Sequence, residues 1–143
     1  IEDRHWAPGL HTPRIFETVL DIRECYPQSE ESNTILNFTR EFFKSKSASI
    51  YSTKTPEGDL RHLVIKQASN TDDLMANLVT SSSNKEWMEE YSTELLQTVP
   101  SITTIINNIN EKNDLGKFNH FMISHITNTQ NACQLSMEYK YFL

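Results

Sequence analysis

The chain has 143 residues and a formal net charge of −6, with 37% hydrophobic and 22% charged residues. That length is one domain with room for a real core, and the acidic balance argues against a free-standing nucleic-acid binder with a basic face. No apolar run approaches the length of a membrane span, and no basic-then-apolar leader opens the sequence.

Two cysteines, Cys25 and Cys133, suggest no disulfide framework and fit a reducing, cytoplasmic setting. The first residue is Ile1 rather than Met, as in an excised or processed fragment. Pro8-Gly9 marks a turn, and residues 16–22 read as a strand with a mixed apolar pattern. Cys25 follows that strand, where its plain structural reading is a small buried side chain. Pro27 suits a helix start, and Glu30 and Glu31 suit the positive end of a helix dipole. Ile35, Phe38 and Phe42, widened by Leu36 and Phe43, make the core stripe of an amphipathic helix over residues 29–46. Ile50-Tyr51 gives a short strand before a turn at residues 55–59.

Residues 60–66 and 73–80 are two short apolar runs around the polar turn 69–72, a hairpin signal. By alternation Arg61, Leu63 and Ile65 share one face, and His62, Val64 and Lys66 the other. Apolar groups fall on both faces, as in an interior strand pair. A guanidinium at Arg61 could grip a phosphate or carboxylate with two donors, or pair with a helix carboxylate such as Glu41 or Glu94. Ser83-Asn84-Lys85-Glu86 fits a capping box with Ser83 as the cap. Trp87, Tyr91 and Leu95 then repeat along a second helix that Pro100 ends. Ile102, Ile105, Ile106 and Ile109 form a β-branched strand that closes on the polar cluster Asn107-Asn108-Ile109-Asn110, where turn chemistry is the plain alternative to a site. The order strand-helix-strand-strand-helix-strand is the split βαβ arrangement. The fold class is therefore α+β, an antiparallel sheet with two amphipathic helices on one face. A C-terminal strand and a helix over residues 130–142, with Ala132, Leu135, Tyr139 and Phe142 at helical spacing, complete it.

Leu60-Arg61 opening a strand, a strand ending Leu78-Val79-Thr80, a helix, and a strand closing on Asn108-Ile109-Asn110 stand here in one order. That order resembles the uridine-C5 RNA methyltransferase family, the S-adenosylmethionine enzymes that make 5-methyluridine in ribosomal and transfer RNA. Gly9-Leu10-His11-Thr12-Pro13 and Val19-Leu20-Asp21-Ile22 look like the family's segment before that region. The resemblance implies an RNA cleft framed by Arg61, Lys66, Asn108 and Asn110. Lys66 stands where the family often has an arginine facing RNA, and the asparagines lie at the approach to the active site. Cys25 matches a position that in some members ligates a four-iron cluster. No other cysteine lies upstream, so an iron–sulfur cluster is not expected in this chain.

Beyond Asn113 the likeness thins. His125-Ile126-Thr127-Asn128-Thr129 stands in place of a phenylalanine-x-glutamine-x-asparagine motif that touches the cofactor in the family. Thr127 and Asn128 match its end, while Ile126 cannot replace the glutamine's polar contact. The resemblance thus divides the chain into residues 1–113, the family's central α+β region, and 114–143, a degenerate lead-in to an S-adenosylmethionine domain that is missing here. The family's catalytic cysteine segment, later glutamate base and glycine-rich cofactor turn have no counterpart. That chemistry needs a thiolate to add to uracil C6 and a base to remove the C5 proton. Cys133 lies in a helical pattern without a basic neighbour and does not fit the role. The five histidines show no metal spacing. The expectation is an inactive fragment of an RNA (uracil-5-)-methyltransferase that docks a cofactor domain, with RNA as partner and neither DNA nor membrane. A stand-alone protein-interaction module is the alternative, and a ferredoxin-like small-molecule sensor a third reading.

Overall fold

The computed structural model describes residues 9–12, 15–21, 23, 28–51, 57–112, 118–127 and 137–142, with side chains at 23, 28–51 and 57–110. In chain order the elements are β1 (Gly9–Thr12), β2 (Ile15–Asp21), α1 (Glu30–Ser45), β3 (Leu60–Gln67), β4 (Leu74–Thr80), α2 (Lys85–Thr98), β5 (Thr104–Lys112), β6 (Phe118–Thr127) and β7 (Met137–Phe142). The expected α+β class and the β-α-β-β-α-β order across residues 15–112 both hold.

Helix α1 starts where Ser29 accepts a hydrogen bond from the Ser32 N–H at 3.2 Å, with Glu30 and Glu31 in its first turn. It ends in a Schellman motif. The Ala48 N–H bonds the Phe43 carbonyl and the Ser47 N–H bonds the Lys44 carbonyl, both at 3.1 Å. Ser47 sits at φ +54° there, a left-handed position that glycine usually fills.

Helix α2 is capped by Asn84, whose side chain accepts from the Trp87 N–H at 3.1 Å. The expected cap, Ser83, is corrected by one residue. Helical backbone begins only at Lys85, and asparagine caps as well as serine.

The two helices meet through aromatic rings. Tyr91 lies 5.1 Å from Phe43 and 5.4 Å from Phe42, ring centre to ring centre. Its hydroxyl is within 2.8 Å of the Thr39 hydroxyl. Since Thr39 Oγ1 donates to the Ile35 carbonyl, Tyr91 is the donor between them. Burial pushes the Tyr91 phenol well above its ordinary pKa. On the helix surface the Lys46 ammonium pairs with Glu90 at 2.6 Å.

Under the helices lie Leu63 and Ile65 of β3, Ala76 and Leu78 of β4, and Ile105 of β5, all buried with Ile35, Leu36, Phe43 and Leu95. These residues form the core, and the period-two alternation of the strands puts them on one face.

The described strands make one seven-stranded sheet in the order β2-β1-β7-β3-β4-β5-β6. The expected all-antiparallel sheet is corrected at one pair, because β4 and β5 run parallel from Met75↔Thr104 to Thr80↔Ile109. Helix α2 carries the chain back along the sheet, so β5 starts at the end where β4 started, as any strand-helix-strand crossover does.

The expected helix over residues 130–142 is corrected at its C-terminal half. Residues 137–142 form β7, paired antiparallel with β3 from His62↔Phe142 to Gln67↔Met137. Methionine and the aromatics at 137, 139 and 141 also alternate with period two, and the slot beside β3 satisfies every second backbone group.

Candidate functional site

With the core on one side, the opposite sheet face carries His62, Val64 and Lys66 of β3, Met75, Asn77 and Val79 of β4, and Thr104, Ile106, Asn108 and Asn110 of β5. Strand register sets them in rows: Lys66–Met75–Thr104, Val64–Asn77–Ile106 and His62–Val79–Asn108. Val64 and Val79 are buried and the others half-buried. None of these side chains is acidic, although the whole chain is. The Oδ1 atoms of Asn77 and Asn108 are buried without a hydrogen-bond partner. Each such group costs about 1–3 kcal/mol.

Arg61 is placed by an irregularity. Leu60 pairs with Thr80 and His62 with Val79, so Arg61 is an extra residue in the ladder. Such bulges re-aim a side chain. The guanidinium carbon lies 3.8 Å from the centre of the Tyr51 ring, and Nη1–H donates to the Asn110 carbonyl at 3.1 Å. β4 ends at Thr80, opposite Ile109, so Asn110 lies one residue past that end and Arg61 bridges to it. Arg61 is only 9% exposed. The expected ion pair with Glu41 or Glu94 is not formed: both are exposed on the helices, and no carboxylate among the described residues is within reach of Arg61. A carbonyl and an aromatic face take that place.

Tyr51 is itself held against β3. Its N–H donates to the Leu60 carbonyl at 2.7 Å, and the Ile50–Leu60 bridge lies beside it. Gly58 at φ +125° lets the two segments touch, since any Cβ there would be 2.3 Å from the Ile50 carbonyl oxygen.

Of the sequence-predicted residues, the fold brings Arg61 to the backbone of Asn110, with Asn108 two residues back along β5. Lys66 is at the other end of the face, level with Thr104 and two strands from β5, so roughly 16 Å from Asn108 by strand rise and spacing. Residues 107–110 lie inside β5 rather than in a turn, which corrects the turn reading. Asn107 points to the core instead. It is 3% exposed and donates from Nδ2 to the Leu78 carbonyl at 3.2 Å and to Thr80 Oγ1 at 3.1 Å. Thr127 is the last residue of β6. Asn128 and Cys25 lie outside the described residues. Sequence reasoning missed Asn77 and Tyr51. An asparagine between two apolar strand positions was the available signal for Asn77. Tyr51 had none, because its role depends on a contact across the sheet.

A small cavity of about 120 Å³ opens at the start of α2, lined by Phe43, Asp59, Leu60, Thr80, Ser82, Ser83, Asn84, Trp87 and Met88. It does not fit S-adenosylmethionine. The strand-to-helix turn at residues 81–84 carries no glycine to let backbone amides close on a nucleotide, and Asp59 would face the methionyl carboxylate. No group of three or more His, Cys, Asp or Glu among the described residues could hold a metal ion, and no described helix is long and apolar enough to cross a membrane.

No protein-family model matches the chain. Individual proteins do. An uncharacterized RNA methyltransferase of Chlorobaculum tepidum is 35% identical over 105 residues, covering 73% of this chain and 22% of that protein. One of Bacteroides thetaiotaomicron is 34% identical over 114 residues, 77% of this chain and 25% of its own length. One of Clostridium tetani is 30% identical over 131 residues, 92% and 26% respectively. The chain is thus homologous to one region of bacterial RNA methyltransferases and spans about a quarter of the length of these relatives. The tRNA (uracil-54, C5)-methyltransferase of Pyrococcus abyssi, solved in complex with S-adenosyl-L-homocysteine, shares the fold. Its TM-score is 0.52 at 23% identity, over 75% of this chain and 26% of that one. The resemblance carried by Leu60-Arg61, Leu78-Val79-Thr80 and Asn108-Ile109-Asn110 is therefore supported by RNA methyltransferase relatives, and the uracil-54 enzyme shares the fold.

Proposed function

We propose that this chain is the central, non-catalytic region of an S-adenosylmethionine-dependent RNA (uracil-5-)-methyltransferase acting on ribosomal or transfer RNA in the cytoplasm. The observation that carries the reading is the 35% identity over 105 residues to an RNA methyltransferase, joined to a fold shared with a uracil-54 enzyme. In this reading residues 1–113 frame the RNA cleft, and residues 114–143, with Thr127 and Asn128, lead into a cofactor domain of the parent. The bound cofactor supplies an electrophilic methyl group there. This chain's own residues hold the RNA. Arg61, braced on Tyr51 and the Asn110 carbonyl, turns its remaining N–H donors toward a backbone phosphate. Lys66 neutralises a second phosphate farther along the strand, and Asn108 and Asn110 line the entry between them.

The test is a chimera. The matching region of the Chlorobaculum tepidum relative is replaced by this chain, and the product is incubated with methyl-labelled S-adenosylmethionine and uracil-containing RNA. Labelled 5-methyluridine is expected from the chimera and from the intact relative, and none from the 143-residue chain alone. A folded chimera that makes no 5-methyluridine while the intact relative does, or a product methylated on another base, overturns the proposal.

A further inference from the structure

Two amides lie on the sheet face opposite the described helices without a hydrogen bond that would explain them. Asn77 on β4 and Asn108 on β5 are diagonal neighbours, with Val79 and Ile106 on the opposite diagonal. Asparagine is disfavoured inside strands, and the valine and isoleucine beside these two show what the backbone prefers there. Neither amide makes a hydrogen bond to a described residue, and both Oδ1 atoms are buried. Asn107 is the internal comparison. One residue away on the same strand, it donates twice and is explained by packing alone.

We propose that Asn77 and Asn108 form a nucleobase-edge subsite that takes one unstacked base of a single-stranded RNA segment, laid over Val79 and Ile106. The proposal rests on the RNA reading above and adds to it the residue Asn77 and the part of the RNA that is read. An amide offers a donor and an acceptor side by side, the pattern that matches a base edge. Its terminal torsion is soft, so either half can turn outward to the ligand. Diagonal positions on neighbouring strands are about 7–8 Å apart, within reach of the two sides of one planar ring. Single-stranded RNA is recognised in this way, by bases splayed onto an open sheet and bonded at their edges. This face of β3, β4 and residues 104–110 of β5 carries no acidic side chain, in a chain of net charge −6.

The experiment uses the isotope-labelled chain, single-stranded oligouridine, and an abasic oligomer of equal length with the same phosphates. Oligouridine is expected to shift the side-chain amide signals of Asn77 and Asn108, and the abasic strand to leave them in place. Asn77→Val and Asn108→Val should each lower the preference for oligouridine over the abasic strand by about tenfold. Their melting temperatures should rise, because valine suits a strand and orphans no polar atom. Equal preference in the variants and the parent chain overturns the subsite, as does failure of the parent chain to bind oligouridine at all. If oligouridine binds and only Arg61 or Lys66 variants weaken it, the subsite fails while the proposed function stands. If the amides shift only when the rest of the Chlorobaculum tepidum relative is added as a separate protein, the face docks protein and the subsite again fails.

Discussion

Replacing Gly58 by alanine should unfasten the brace behind Arg61. An added Cβ would sit 2.3 Å from the Ile50 carbonyl oxygen and 2.5 Å from Ile50 C and Tyr51 Cα. All three are backbone atoms, so no flexible side chain can yield. The backbone is also at φ +125°, which strains any residue with a side chain. To accept the methyl group, residues 49–51 must leave β3. That forfeits the Tyr51 N–H bond to the Leu60 carbonyl at 2.7 Å, and the Asp59 and Leu60 N–H bonds to the Ser49 carbonyl at 2.9 and 3.0 Å. At roughly 1 kcal/mol for each bond and about 1 kcal/mol for the strained backbone, the loss is about 4 kcal/mol. For a domain near this size about 3 °C accompanies each kcal/mol, giving a fall in Tm of roughly 12 °C. Thermal unfolding followed by circular dichroism measures it, and amide hydrogen exchange at Tyr51 and Leu60 should accelerate. A fall of under about 3 °C with unchanged protection at Leu60 would show that the contact between residues 49–51 and β3 does not hold this corner.

Four further outcomes follow from the same geometry. Ser47→Gly should stabilise by about 0.5–1 kcal/mol in urea unfolding, because glycine occupies the left-handed end of α1 without strain. Tyr91 stays neutral in the fold well above its ordinary pKa of 10.0, so above pH 10 the unfolded chain binds fewer protons. Stability is therefore full below pH 10 and falls as pH rises beyond it, by about 1.4 kcal/mol per pH unit. Tyr91→Phe should remove that slope in alkaline unfolding titrations and cost about 1 kcal/mol at neutral pH for the lost Thr39 bond. Arg61→Lys keeps the charge but loses the fork. It should cost about 1 kcal/mol and speed hydrogen exchange at the end of β5, read by mass spectrometry. Asn107→Asp would set a buried carboxylate against the Leu78 carbonyl. A loss of at least about 3 kcal/mol at neutral pH is expected, shrinking as the pH falls and the carboxyl is protonated.

Much of this molecule was written in its sequence. Ile35, Leu36, Phe42 and Phe43 recur at helical spacing, and they are the residues that α1 buries. Glu30 and Glu31 marked the first turn of α1, and the polar turn at 69–72 marked the β3–β4 hairpin. The order of short motifs around Arg61, Thr80 and Asn108 was enough to suggest the family. These features are local. Hydrophobic period, caps and turns depend on residues within a few positions of one another, so a single sequence carries them.

Which strand lies beside which is another matter, because every backbone offers the same N–H and C=O groups to any neighbour. Only the folded chain sets β5 parallel to β4, or inserts β7 between β1 and β3, strands that lie far from it in sequence. The same holds for the site. Sequence alternation put Arg61 in step with Leu63 and Ile65, and could offer only a carboxylate as its plain partner. The bulge after Leu60, the early end of β4 and the contact permitted by Gly58 turn its guanidinium to Tyr51 and Asn110 instead. The residue types of this protein were legible one by one. Their meeting across β3, β4 and β5 was decided by packing and register, which no local pattern encodes.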